Sequence, residues 1–297
     1  MSDSTTSLKR QISSAGDLQS VVRTMKAMAA SNIGQYERAV EALGDYYRSV
    51  ELGLSICFRN GATAASVAGE RGRPDARLLD AVVFGSDQGL VGRFNDLIVD
   101  FAVNTLAALP GRHRVWAVGE RAHARLSDAG LAPIGVFAVP NSVNGITPLV
   151  GQMLVASEAR HGPDEVTALH LFYNRPTSRA AYSPVSQRLL PLDNDWRQKL
   201  SALAWPTGNL PEVMGETTAT LRALIREYLF ISLFRACAES LSSENASRLA
   251  AMQRADKNID ELREDLSGAF HRLRQSGIDE ELFDVVSGFE ALQGEPT

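Results

Sequence analysis

Little in this chain of 297 residues points to covalent or metal chemistry. Its two cysteines, Cys57 and Cys237, lie among apolar residues in segments of helical character, so buried free thiols and a reducing compartment are expected. The five histidines, at 113, 123, 161, 170 and 271, fall in no ligand spacing such as HExxH, which argues against a metal site. Neither Ser86 nor Ser183 stands in a GxSxG nucleophile elbow. Lysine occurs only four times, so arginine makes up most of the 30 basic residues, and a net charge of −5 argues against general nucleic-acid binding. The greasiest runs, such as Tyr228 to Phe234, fall far short of the roughly 20 residues a membrane span needs. The polar start, Met1 to Ser7, lacks the apolar core of a secretory signal.

Proline is absent from Thr217 to Gln275, and glycine appears there once, as Gly268, so a single long helix is expected. At 1.5 Å per residue, some 60 residues would extend about 90 Å, too long to bury within one ordinary domain. Leu221, Ile225, Tyr228, Ser232, Phe234, Ala238, Leu241, Asn245, Leu249, Met252, Ala255, Ile259, Leu262, Leu266, Ala269 and Leu273 recur mostly at steps of three and four, a seam that requires a partner. Residues 5–58 provide one, with Leu18, Val22, Met25, Ala29, Ile33, Tyr36, Val40, Leu43, Tyr47, Val50 and Leu54 at the same steps. Glycines at 16, 34, 44 and 53 predict a bend or a close backbone approach. Met25, Met28 and Met252 read as core filling, and Arg23, Arg38, Arg222, Arg226, Arg235, Arg248, Arg254 and Arg263 as a solvated face.

The middle third changes period. Strands are expected at 78–84, 114–118, 132–139 and 166–173, helices at 95–109, 120–129 and 147–160, and an edge piece at 182–192. The fold class is α/β: an antiparallel two-helix coiled coil formed by the N- and C-terminal helices, with an inserted Rossmann-like α/β domain. The expected parts are a helix at 1–60, a linker at 61–77, the α/β domain at 78–192, a linker at 193–215 and the C-terminal helix at 216–297. The loop from Phe84 to Asn95 stands between strand and helix, where phosphates often bind. Its glycines at 85, 89 and 92 fit neither GxGxxG nor a P-loop. The structural alternative is a tight turn whose glycines take positive φ and in which Ser86 or Asp87 caps amides.

Four ordered motifs carry a resemblance over nearly the whole length: Arg23-Thr-Met-Lys-Ala-Met-Ala-Ala-Ser31, Ser86-Asp-Gln-Gly-Leu-Val-Gly-Arg-Phe-Asn95, Tyr173-Asn174 with Leu189-Leu-Pro-Leu192, and Glu239-Ser-Leu-Ser-Ser-Glu-Asn-Ala-Ser-Arg-Leu-Ala-Ala-Met252, followed by Asn258, Arg274-Gln275, Ile278 and Glu281. In these the chain resembles the gamma subunit of F-type ATP synthases. The resemblance implies a non-catalytic rotor shaft without cofactors, its paired helices standing in a ring of alpha and beta subunits. It implies that the α/β domain sits with the epsilon subunit on the membrane's proteolipid ring, peripheral to the cytoplasmic face of a bacterial inner membrane. It further implies partner contacts at Met25, Lys26, Gln88, Arg93, Glu239, Glu244, Arg254, Gln275, Asp279 and Glu281. The chain departs from the family's basic residues at Asn32 to Gln35 and at Gln88, and from its Ile-Thr pair at Ile278-Asp279. A static coiled-coil scaffold and a small-molecule α/β enzyme with helical arms are the alternatives.

Overall fold

A computed structural model describes residues 2–59, 78–158, 167–178, 181–192, 194–209 and 211–293. The linker expected at 61–77 and His161 lie outside them. Helix α1 spans Ser2–Arg59. The α/β elements follow as β1 Leu78–Phe84, α2 Phe94–Ala107, β2 Arg112–Val118, α3 Glu120–Asp128, β3 Gly135–Phe137, α4 Ile146–Glu158, β4 Thr167–Ser178, β5 Ala181–Leu190 and α5 Asn194–Ser201. Helix α6 then runs from Thr217 to Gln293. N- and C-terminal helices thus bracket an inserted α/β domain. Contacts divide the chain into two compact units, Ala29–Arg248 and Met1–Met28 with Leu249–Thr297, and α1 and α6 contribute to both.

The larger unit holds a five-stranded sheet of order β3-β2-β1-β4-β5. The first four strands are parallel and β5 is an antiparallel edge. Alternation along β1 sends Leu79, Ala81 and Val83 to one face, where they meet Ile98, Val99, Ala102 and Leu106 of α2 and Leu126 of α3. Val82 and Phe84 join the opposite face, packed with Ile146, Leu149, Val150 and Met153 of α4 and Leu233, Phe234, Cys237 and Leu241 of α6. Each such Leu, Val or Phe contributes about 1.5–3 kcal/mol on full burial. Deep in the sheet the Arg114 guanidinium grips Asp80 across β1 and β2 with two hydrogen bonds, at 2.6 and 2.7 Å.

In the same unit α1 and α6 run antiparallel, with Asn32 facing Asn245 and Tyr46 donating to Glu227 at 2.7 Å. Their seam is rich in large side chains, among them Tyr36, Val50, Leu54, Leu221, Ile225 and Tyr228. A close approach occurs at Gly53 alone of the four α1 glycines, where a Cβ would lie 3.1 Å from Leu224; at Gly16, Gly34 and Gly44 it would meet nothing within 4 Å. Within 193–215, α5 packs Trp196 on Tyr228 and Phe58, with ring centroids 4.8 and 6.5 Å apart.

The smaller unit is a thinner antiparallel pair. Its buried core is Ala15, Val22, Met252 and Ile259, flanked by Met25, Ala251 and Ala255. Leu18, expected on the seam, is 54% exposed, and Gln19 takes the inward position at 2%. One residue turns the side chain by about 100° around the helix, and Gln19 is retained because polar groups on α6 satisfy its amide. Leu262 is also off the seam, at 49% exposure, because Ile259 and Arg263 face inward instead. Met28, expected to fill core, is exposed. Strand β3 is three residues rather than eight, bracketed by Pro133 and Pro140 and stacked through Phe137 on Trp116.

Candidate functional site

Ligands of open α/β sheets bind at the carboxyl ends of the strands, where strand order reverses. Here that place lies between β1 and β4, and the chain fills it with its own groups. The loop after β1 is stitched by Asn95, whose Oδ1 accepts from the Ser86 amide at 3.0 Å and whose Nδ2 donates to Ser86 Oγ at 2.8 Å. Asp87 takes the position a phosphate would occupy, accepting from the amide of Glu120 at the start of α3 (3.0 Å) and from that of Val139 (2.9 Å). Of the loop glycines only Gly92 takes positive φ, joined by Leu90 at +64°, a conformation uncommon for leucine. Gly85 is needed for proximity instead, since a Cβ there would lie 2.3 Å from Ala122 Cβ.

The serines of the Glu239–Met252 motif complete this closure. Ser243 Oγ donates to the Asn174 carbonyl of β4 at 2.9 Å, and Ser247 Oγ to the Val91 carbonyl of the β1 loop at 2.5 Å. Tyr182 of β5 meets Ser247 Oγ at 3.2 Å, and Asn174 Nδ2 donates to the Phe94 carbonyl at 3.1 Å. Glu239 is buried between Arg175 of β4, at 3.0 Å, and Arg235 of its own helix, at 2.7 Å. Glu244 is buried against Arg248 at 2.6 Å; burial pushes its carboxyl above the usual range, with Arg248 opposing and Asp87 adding to the rise. Nearby, burial followed by the Cys237 and Glu244 charges pushes the Tyr36 phenol up to about 12. The arrangement is a buried, hydrogen-bonded joint that fixes α6 to the sheet.

Of the ten expected contact residues, Gln88, Arg93, Glu239 and Glu244 belong to the larger unit and Met25, Lys26, Arg254, Gln275, Asp279 and Glu281 to the smaller. Glu239 and Glu244 come together in the joint, with their carboxylates engaged inside the chain. Gln88 and Arg93 are exposed on the loop. Met25 is half-buried in the small core, Lys26 binds Asp256, and Arg254, Gln275, Asp279 and Glu281 are exposed on α6. Arg248, read as solvated, turns inward. Both cysteines are buried and free, and the described residues hold no group of three or more side chains able to hold a metal ion. No described helix is long and apolar enough to cross a membrane.

A polar cluster that seam reading missed lies in the smaller unit. Gln19 donates to Asp256 at 3.2 Å and to Asp260, while Arg263 Nη1 donates to Gln19 Oε1 at 2.5 Å. Lys26 and Arg23 hold Asp256 at 2.7 and 3.2 Å. The signal was there: Ala15, Gln19 and Val22 step by four and three with a polar residue in the middle. The Lys26 hydrogen bond, then those of Gln19 and Arg23, lower the Asp256 carboxyl from 3.8 to about 2. A lowered carboxyl stabilises the fold above its ordinary value and loses that contribution as pH falls through the folded one. The thermal midpoint of the parent should therefore exceed that of Asp256→Asn near neutral pH, and the gap should close between pH 3.8 and about 2. A gap that persists to the acid end would show that the charge on Asp256 is not what the cluster uses.

The comparisons agree with these features. A family profile described as ATP synthase matches residues 4–292. The ATP synthase gamma chain of Anaeromyxobacter dehalogenans is 29% identical over 294 residues, covering 96% of this chain and 98% of the relative. That of Fuscovulum blasticum is 27% identical with the same coverage. In fold, the chain is similar to one in the OSCP/F1/c-ring structure of the Euglena gracilis mitochondrial ATP synthase in rotational state 3, with TM-score 0.66, 14% identity and coverage of 100% of this chain and 98% of that one. It is also similar to one in the Tetrahymena thermophila central stalk/c-ring structure, with TM-score 0.55, 22% identity and coverage of 79% and 99%. With a profile spanning almost its whole length and gamma chains matching end to end, the chain belongs to the ATP synthase gamma-chain family.

Proposed function

We propose that the chain is the central rotor shaft of an F-type ATP synthase, coupling rotation of a membrane ion-translocating ring to ATP synthesis or hydrolysis on beta subunits. The observation that carries this reading beyond family membership is the end of α6. Lys9 of α1 stands over Phe270, and Gln19 faces Asp260, so ten residues along one helix match ten along the other. Past Gly277 α6 continues with Ile278, Leu282, Phe283, Val285 and Val286 exposed. A helix end with this much exposed apolar surface fits insertion into a partner cavity. Gln275, Asp279 and Glu281 would meet the alpha and beta subunits there, with Met25, Lys26 and Arg254 along the same helix pair. Gln88 and Arg93 would offer further partner contacts on the loop. The α/β domain would stand with an epsilon subunit on the proteolipid ring, peripheral to the cytoplasmic face of a bacterial inner membrane. The joint of Ser243, Ser247 and Glu239 would carry torque from that domain into α6.

The test is affinity purification of a tagged copy from detergent-solubilised membranes of its own host, with identification of what accompanies it. Alpha, beta, epsilon and proteolipid chains are expected. Recovery of the chain alone, or micromolar ATP or NAD binding to the isolated chain by calorimetry, would favour the enzyme alternative instead.

A further inference from the structure

The apolar seam of the smaller unit is poor in shape. Ala15, Ala251 and Ala255 line it, and its larger members are Val22, Met25, Met252 and Ile259. Small side chains make shallow ridges, so sliding one helix by a turn of about 5.4 Å exchanges one set of weak apolar contacts for another. Such a seam distinguishes its registers badly. Embedded in it is a single polar layer: Gln19 and Lys26 with Arg23 on α1, Asp256, Asp260 and Arg263 on α6. Gln19 is almost wholly buried, and both ends of its amide are used, the nitrogen by two carboxylates and the oxygen by Arg263. A one-turn slip in either direction would leave the Gln19 nitrogen beside only one of Asp256 and Asp260, with Met252 or Glu264 in place of the other. Buried polar groups that meet their full set of partners in one alignment are the best-attested way for paired helices to specify register.

We propose that Gln19 and Asp256, with Lys26, Asp260 and Arg263 around them, form a polar clasp that sets the axial register of α1 against α6 and thereby positions the end of α6, including Gln275, Asp279 and Glu281. They are positioning residues: they act through the helix pair rather than by touching a partner. The second half of the proposal rests on the rotor reading; the first does not.

Register can be read in the isolated full chain by disulfide trapping. Val22→Cys is combined in turn with cysteine at Met252, Ala255, Ile259 and Leu262, each in the parent and in Gln19→Leu/Asp256→Leu. In the parent the product should concentrate at Ala255. In the apolar double variant about half of it should move to positions one turn away, while helix content and thermal midpoint hold or rise. Asp256→Asn, which keeps the shape and its acceptor oxygen, should retain the parent pattern. An unchanged distribution in the double variant would overturn the clasp. In the assembled complex, the double variant should turn over ATP more slowly than the parent. Spread register with unchanged turnover would overturn the positioning role while leaving the rotor reading intact, whereas loss of the alpha, beta and epsilon partners from the parent itself would count against that reading and leave the register result standing.

Discussion

With α6 tied by a disulfide to a beta subunit, ATP turnover should fall to the level set by the uncross-linked fraction, and a reductant should restore it. The tether is best placed at Ile278, which is exposed toward the end of α6. The chain's own thiols will not compete. Cys57 and Cys237 are buried, and burial raises both above the ordinary thiol range, which leaves little thiolate to react. The readout separates two mechanical ideas. A shaft must present different faces to successive catalytic subunits, so fixing one angle holds each subunit in one state. A static scaffold already sits at one angle, and a covalent bond to its neighbour costs it nothing. Turnover that survives complete cross-linking would therefore eliminate rotation of this chain as the coupling step.

The parts of the fold legible in the sequence are those in which one physical term dominates. Strand β1 is legible at Leu78–Phe84 because both its faces are buried and it reads as an apolar run interrupted by Asp80, which Arg114 pairs. Helix α6 was legible from absent proline and a steady apolar step, although it runs on to Gln293, well past the last seam residue at Leu273. Where terms compete, local reading failed. Leu18 was preferred to Gln19 for the seam because hydropathy alone cannot see that six polar groups on two helices will satisfy one another. The 132–139 strand shortens to Gly135–Phe137 between Pro133 and Pro140, and within it Gly135 lies so close to the Trp116 ring that a Cβ would come within 2.5 Å, a contact set by β2 and invisible to local propensity.

The Glu239–Met252 motif teaches a related point. Its residue types suggest an exposed polar surface, yet Glu239, Ser240, Ser242, Ser243, Glu244, Asn245 and Ser247 are all buried. Resemblance marked the segment, but only the packing reveals that the Ser243 hydroxyl points at the Asn174 carbonyl of β4 and the Ser247 hydroxyl at the Val91 carbonyl of the β1 loop. Ser243 and Ser247 suit these places: each is small enough for close helix-to-sheet approach and brings a donor for a buried carbonyl. The topological switch point is thereby sealed by the chain itself, which is why a fold that elsewhere binds nucleotides can serve here as a rigid attachment for a helix.

The same sealing makes Gly119 the glycine on which the domain most depends. It joins β2 to α3 at φ +101° and ψ 134°, outside the small left-handed region that other residues visit. A Cβ there would stand 2.6 Å from the carbonyl carbon and oxygen of Ser86 and 2.8 Å from its nitrogen. Ser86 cannot withdraw, since its amide is held by Asn95 Oδ1 and its carbonyl by the Arg121 amide, both at 3.0 Å. Relief would have to come from moving α3, which would break the Glu120 amide's bond to Asp87. Gly119→Ala should thus combine backbone strain with an unyielding overlap, costing about 3–5 kcal/mol, a large share of the stability of an ordinary domain. Gly130→Ala is the matched control. It also has positive φ, at +83°, but a Cβ there would meet nothing within 4 Å, so only the backbone term, about 1 kcal/mol, should appear. Denaturant unfolding of the two variants beside the parent distinguishes the terms. If Gly119→Ala unfolds within about 1 kcal/mol of Gly130→Ala, the close approach of the β1 and β2 ends is not what requires glycine, and the strand-end joint is softer than its hydrogen bonds imply.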